Sequence, residues 1–203
     1  MIAVEVKNLQ KSYGDNHVIE DLSLTVEQGE KVAFSAPSGC GKTTLFRLIA
    51  SLEKPDHGRV YTSSAVAYLF QEPRLFPGFT VLENVAAVYG GKTENPKEKA
   101  AAILEAVGMG EDLHKYPDEI SGGMAQRTVL ARALAAGCEI LLLDEPFKGL
   151  DEDSKKDLID LTKKMTAHKT LLLITHDREE AQALCEKTLH FVSGMKLVDK
   201  SAI

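Results

Sequence analysis

The chain has 203 residues, a mass of 22.1 kDa and a net charge of −6. With 44% apolar and 27% charged residues it has the make-up of a folded globular domain, and no apolar run approaches the ~18 residues of a membrane-crossing helix. The acidic balance disfavours a free-standing duplex-nucleic-acid binder. Cys40, Cys138 and Cys185 are widely separated and form no CxxC pair, which argues against a zinc site and suits a reducing compartment. The N-terminus, Met1-Ile2-Ala3-Val4-Glu5, lacks the basic patch and apolar stretch of a signal peptide.

In chain order, Val4 and Val6 alternate with Glu5 and Lys7, and Leu22, Leu24 and Val26 alternate with Ser23 and Thr25. This period of two predicts half-buried antiparallel strands. Gly29-Glu30 reads as a turn, 32–36 as a short buried strand, and 43–50 as a helix with Leu45, Leu48 and Ile49 on its apolar face. A further apolar strand spans 65–70. A loop with Pro73, Pro77 and Gly78 then leads to a helix capped by Thr80. After a polar stretch at 92–99, Asn95-Pro96 starts a helix with Ala100, Ile103, Leu104 and Val107 inward and Gly108 at its end. The segment 71–136 thus reads as mostly helical.

The last third alternates strand 140–143, helix 153–168, strand 170–174 and helix 178–187. Residues 189–192 and 196–198 flank Ser193-Gly194-Met195 as a hairpin. Strand–helix alternation predicts an α/β fold with a mainly parallel core sheet, N-terminal antiparallel strands and an inserted α-helical subdomain. The expected organisation is one domain, with core segments 1–70 and 137–203 and the helical subdomain at 71–136.

The strongest local signal is Ala36-Pro37-Ser38-Gly39-Cys40-Gly41-Lys42-Thr43-Thr44. A buried strand runs into a glycine-rich turn, and a helix begins. Gly39 and Gly41 allow a tight bend that turns backbone N–H groups onto a polyphosphate, and the helix adds its positive end. Lys42 can reach the β- and γ-phosphates, and the Thr43 hydroxyl is placed to ligate Mg²⁺. Ala36 stands where the pattern usually has glycine, which fits only a backbone of negative φ. Cys40 fills space in the loop, and its place at a helix N-terminus would favour a thiol open to alkylation.

The run 140–146 is an apolar strand ending in Asp144-Glu145-Pro146. So apolar a strand is central, and Asp144 emerges at the carboxyl edge of the sheet that the phosphate loop also leaves. Asp144 can hold Mg²⁺, and Glu145 can polarise an attacking water. One strand later, His176 follows Thr170-Leu171-Leu172-Leu173-Ile174-Thr175 at the same edge, where it can bond a γ-phosphate oxygen. These features together describe a P-loop NTPase.

The segment Glu119-Ile120-Ser121-Gly122-Gly123-Met124-Ala125-Gln126-Arg127 narrows this. With the other motifs in order, essentially the whole chain resembles the ATP-binding-cassette ATPases, the motor subunits of membrane transporters. The resemblance implies that Tyr13 stacks on adenine and that Gln71 senses metal and γ-phosphate. It further implies that Ser121-Gly122-Gly123 is the signature loop, that Asp151 of Gly149-Leu150-Asp151 belongs to the D-loop, and that His176 is the switch histidine. Pro37, Ser38, Gly39, Cys40, Gly41, Lys42, Thr43 and Thr44 would then bind ATP, and Thr43, Gln71 and Asp144 the Mg²⁺. Met124 and Ile120 replace the commoner glutamine and leucine, and Gly149 the commoner alanine or serine.

In this family the signature loop closes over ATP held by an opposite subunit. Ser121, Gly122, Gly123 and Asp151 would therefore lie at the interface with a second copy or a paralogous ATPase. The expected partners also include an integral-membrane permease, met near 71–77, and a substrate-binding protein, but no nucleic acid. The expected location is peripheral, at the cytoplasmic face of the membrane. The run Phe70-Gln71-Glu72-Pro73-Arg74-Leu75-Phe76-Pro77 with Val81-Leu82-Glu83-Asn84-Val85 is similar to importers of the nitrate, sulfonate and taurine group. The chain ends at Ile203, where sugar-importer ATPases would continue into a regulatory domain. Alternatives are a soluble ABC-type ATPase of DNA repair or translation, or a weakly hydrolysing nucleotide switch.

Overall fold

The computed structural model describes residues 1–91 and 93–197. They pack as two compact units. The first comprises 1–68, 138–144 and 168 onward, and the second 69–137 and 145–167. Packing thus groups 145–167 with the helical segment, whereas the sequence pattern places it with the core.

The first unit holds two sheets. In the smaller, β1 (Ile2–Tyr13) lies between β2 (Asn16–Glu27) and β4 (His57–Thr62), antiparallel to both. Val4 pairs with Val26 and Val6 with Leu24, and all four are buried. The alternation read from the sequence is therefore the inward face of this sheet. Strand β4 is not foreseen by that reading. Most of it is exposed, so it carries no apolar alternation. Its position is set by Gly58, at φ +80: a Cβ there would lie 2.3 Å from the Asn8 carbonyl oxygen. Only glycine lets β4 close against the irregular stretch of β1, where Asn8 itself has φ 47.

The larger sheet has the order β5-β6-β7-β3-β8-β9. These strands are β5 (Val66–Leu69), β6 (Ile140–Asp144), β7 (Thr170–Ile174), β3 (Lys31–Ser35), β8 (Lys187–Val192) and β9 (Lys196–Leu197). Neighbours β6 and β7, β7 and β3, and β3 and β8 run parallel, and β9 returns antiparallel to β8. Every residue of β6 and β7 is buried, as expected of central parallel strands. Helix α1 (Lys42–Ile49) packs Leu45, Phe46, Leu48 and Ile49 into the core. Phe34 stacks on Phe191 at 5.6 Å and meets Phe46 edge-on at 5.7 Å.

Helix α6 (Arg178–Leu184) ends before the predicted 187 because Lys187 pairs with Val32 in the sheet ladder. The hairpin turn is the 3-10 segment Ser193–Met195, and Val198 of the predicted second arm lies outside the described residues.

In the second unit, the described residues of 71–136 are helix, 3-10 turn and loop. Helix α2 (Val81–Ala86) has the predicted cap: the Glu83 amide donates to Thr80 Oγ1, and the Thr80 amide to Glu83 Oε2, each at 3.2 Å. Helix α3 (Pro96–Ala106) follows Asn95, whose side chain makes no capping bond, so proline at the first position marks this start. Ala100, Ile103, Leu104 and Val107 are buried as predicted. Helices α4 (Gly122–Ala135) and α5 (Glu152–Met165) complete the unit, capped by Ser121 and Asp151.

Candidate functional site

In the first unit, the chain leaves β3 at Ser35 and turns through 36–41 into α1. Ala36 is buried and has no positive φ, so alanine is accommodated where a glycine is usual. Gly41, at φ +100, precedes the helix; a Cβ there would lie 2.7 Å from Val18 Cγ1. The turn is therefore closed to any larger residue. Lys42 is only 8% exposed, and its ammonium donates to the carbonyls of Ala36 at 2.7 Å and Pro37 at 3.1 Å. The charge is thus held inside the loop, beside the first amides of α1, which lack partners within the helix.

Cys40 fills space as expected, but not as an accessible thiol. It is buried, and its Sγ donates to the Val192 carbonyl at 2.8 Å and lies 3.9 Å from Met195 Sδ. Pro37, Ser38 and Gly39 form the exposed rim of the loop, and Thr44 lies half-buried in α1.

The Thr43 hydroxyl donates to Asp144 Oδ2 at 2.8 Å, and the Tyr68 hydroxyl reaches the same oxygen at 3.4 Å. Asp144 is 1% exposed, and burial pushes its carboxyl above the usual carboxylate range. A buried carboxylate beside a hydroxyl is the oxygen donor set of a Mg²⁺ ion that also takes phosphate oxygens. Among the described residues no three His, Cys, Asp or Glu side chains converge as a self-sufficient metal cage.

The raised carboxyl has a consequence for stability. In the nucleotide-free protein, burial of the ionised Asp144 is destabilising in full above its folded-state pKa; the penalty shrinks as pH falls through that value and is gone below the unfolded-state pKa. Asp144→Asn keeps an oxygen acceptor for Thr43. It is therefore expected to raise the melting temperature at pH 7, with a gain that shrinks on acidification, while weakening Mg²⁺-dependent nucleotide binding. Thermal unfolding at several pH values checks this; a variant that melts below wild type at pH 7 overturns it.

Tyr13 ends β1 and is 46% exposed. Its hydroxyl bonds Glu53, and Lys11 Nζ lies 5.3 Å from its ring centroid. Partial burial, then the Glu53 bond, push its phenol above the ordinary value. His176 follows β7, exposed at the edge of a cavity of about 450 Å³ that Ser35 and His190 also line. Its neighbours are locked. The Thr175 hydroxyl donates to Glu180 at 2.5 Å and accepts from the Asp177 amide at 3.1 Å, while Asp177 caps α6. The sequence reading does not single out Glu180. An acid in a first helical turn is an ordinary surface pattern, and only the fold reveals its burial to 5%.

In the second unit, Ser121 accepts the Met124 amide at 3.2 Å, and Ser121 and Gly122 are exposed. A Cβ on Gly122 would meet nothing within 4 Å. One on Gly123 would rest at an ordinary 3.6 Å from the Gly149 carbonyl, so the 121–123 and 149–151 segments adjoin. Neither glycine is demanded by this chain's own packing, although glycine within a helix costs roughly 0.5–1 kcal/mol relative to alanine.

Asp151 caps α5 by accepting the Ser154 amide at 2.9 Å, and that bond holds its carboxyl below the usual range. Glu145, the residue after Asp144, is half-buried with φ 51. Gln71 lies exposed on the loop after β5. That loop is held by Asn84, fully buried, whose side chain bonds the backbone of Phe76, Phe79 and Thr80. Phe76 and Phe79 remain 52% and 43% exposed.

Residues 19–148 match the family model described as ABC transporter. The chain is 43% identical over 195 residues to the aliphatic sulfonates import ATP-binding protein SsuB 3 of Paraburkholderia xenovorans, covering 95% of this chain and 78% of that one. It is 37% identical to the sulfate/thiosulfate import ATP-binding protein CysA of Synechococcus elongatus, covering 92% of this chain and 59% of that one. The fold superposes on the ATP-binding cassette MJ0796 in its dimeric post-hydrolysis state bound to ADP and Pi, with TM-score 0.88 and 28% identity over 94% of this chain and 95% of the other.

Proposed function

The chain belongs to the ABC transporter ATPases, and from that membership we propose that two copies close around two shared ATP sites to drive a membrane importer of small sulfur oxyanions. ATP hydrolysis is the family's reaction. Within one chain, Gly39 to Thr44 would wrap the phosphates in backbone amides, Lys42 would neutralise the β- and γ-phosphates, and Tyr13 would stack on the base. Thr43 and Asp144, with Gln71, would hold Mg²⁺. Bound there, the ion neutralises the charge that builds on the phosphate oxygens. Glu145 would take the proton of the attacking water, and His176 would bond the γ-phosphate.

The observation that carries the dimeric reading is the Gly122-Gly123 pair at the exposed start of α4. A Cβ on Gly122 would meet nothing within 4 Å, so the amides at this helix end are open to a group from outside, although Ser121 accepts that of Met124. Such amides bind an anion delivered from outside, here the γ-phosphate on the opposite copy. The exposed Phe76 and Phe79 on the loop pinned by Asn84 would form the contact for a permease, and the subunit would sit peripherally at the cytoplasmic face of the membrane. The sulfonate and sulfate importers among its relatives support the cargo class. No described helix is long and apolar enough to cross a membrane.

A complementation assay tests the shared sites. Lys42→Ala and Ser121→Arg are each expected to abolish turnover, one through the phosphate loop and the other through the signature loop. Mixing the two should restore part of it, because a mixed dimer regains one site with both halves intact. Mixtures as inactive as their components would overturn the reading. The same assay in proteoliposomes with the permease reports cargo, through stimulation by an alkanesulfonate.

A further inference from the structure

Resting on the assignment of Glu145 as the base, we infer that Gln126 is a positioning residue that holds the Glu145 backbone in its left-handed conformation. Gln126 lies in the second turn of α4 and is 2% exposed. Its side-chain amide donates to the Glu145 carbonyl at 3.2 Å and to the Pro146 carbonyl at 2.8 Å. Two acceptors match the two hydrogens of a primary amide, so the buried Nε2 is satisfied. The Glu145 carbonyl also accepts the Lys148 amide at 3.2 Å.

A glutamate at φ 51 persists only where its surroundings over-determine the backbone. Here the carbonyl on its C-terminal side is pinned from two directions, and the next carbonyl is pinned by the same glutamine. Backbone φ fixes where Cβ points, and the carboxylate hangs from Cβ. Without the Gln126 donors, Glu145 relaxes toward the ordinary negative-φ regions and its carboxylate moves with it. A general base displaced by about 1 Å forfeits about a hundredfold in rate, with no change in how substrate is held. Gln126 would thus govern kcat without touching nucleotide.

Two substitutions read this out. Gln126→Met matches the size of glutamine and removes both donors. Gln126→Glu presents a carboxylate to the two carbonyls at neutral pH and recovers one O–H donor when protonated. Both are expected to bind MgATP with wild-type Kd and to lose about ten- to a hundredfold in kcat at unchanged KM. Relative to wild type at each pH, the Gln126→Glu loss should shrink on acidification and the Gln126→Met loss should not. In a Glu145→Gln background, Gln126→Met should leave the residual single-turnover rate unaltered, because it acts only through Glu145.

Wild-type kcat in Gln126→Met overturns the inference. So does a kcat loss matched by equal losses of affinity and melting temperature, or a further rate loss in the Glu145→Gln background; both mark a merely structural amide. Should Gln126→Met not fold, the pH dependence of Gln126→Glu decides. Failure of the underlying reading is separately visible, since Glu145→Gln alone would then retain turnover.

Discussion

Lys42→Ala is expected to remove measurable ATP binding while leaving the fold intact. The Lys42 ammonium is buried in the loop, 2.7 and 3.1 Å from the carbonyls of Ala36 and Pro37. A cation so placed is desolvated before nucleotide arrives, so its attraction for phosphate is little weakened by water. Truncating one partner of a buried, hydrogen-bonded charge pair costs about 2–5 kcal/mol. That is at least about thirtyfold in Kd, since ~1.4 kcal/mol is tenfold. Alanine suits the first turn of α1, and Leu45, Phe46, Leu48 and Ile49 still anchor that helix in the core. Calorimetric titration with MgATP checks affinity, and thermal unfolding checks the fold. Wild-type affinity in the variant would remove Lys42 from the site.

Glu145→Gln is expected to lower turnover by about 10²–10⁴-fold, the usual contribution of a general base, and to accumulate an ATP-bound dimer. The substitution keeps the size of the side chain and removes its capacity to accept a proton. The left-handed backbone at φ 51 is equally uncomfortable for glutamine, so stability should change little. Strain of this kind, about 1–3 kcal/mol, is tolerated at sites where geometry matters more than local comfort. Size-exclusion chromatography with MgATP, set against ADP, reads the association state. A variant that stays monomeric with ATP argues against closure around shared nucleotides. One that turns over at the wild-type rate argues against Glu145 as the base.

The two predictions draw on different layers of information. Lys42 is legible in the sequence because the phosphate loop is local: strand, glycines, lysine and helix are contiguous, and each constrains its neighbour. The same holds for β6 and β7, whose unbroken apolar runs signal strands buried on both faces. The Thr80 cap and the Asn95-Pro96 start are likewise written within four residues of the helices they open. Asp144 is legible because a strand so apolar ends at the edge where the loop must lie. Its hydroxyl partner Thr43 emerges only in the folded chain, at 2.8 Å.

What escapes sequence reading is held by partners far away in the chain. Strand β4 is exposed and exists through its pairing with β1, made possible by Gly58. Glu180 reads as a surface acid of a first helical turn until Thr175 is seen to bond it. Cys40 reads as a loop-filling residue whose helix-terminal thiol would be open to alkylation, until Val192 and Met195 are seen to close over it. Gln126 reads as one more polar residue of the signature segment until Glu145 and Pro146 are found above its amide, 19 and 20 positions away.

By itself, then, the sequence determined which motifs are present: a glycine-rich turn between strand and helix, an acid ending an apolar strand, and the order of motifs that marks an ABC ATPase. These follow from short-range constraints of backbone conformation and apolar periodicity. Tertiary structure alone decided how these groups are held: Asp144 stripped of water, Glu145 at positive φ against the Gln126 amide, and Gly122 open at the start of α4. Burial and long-range hydrogen bonds are properties of the packed whole, because they depend on which distant segment fills the space around a residue, and no local pattern encodes that.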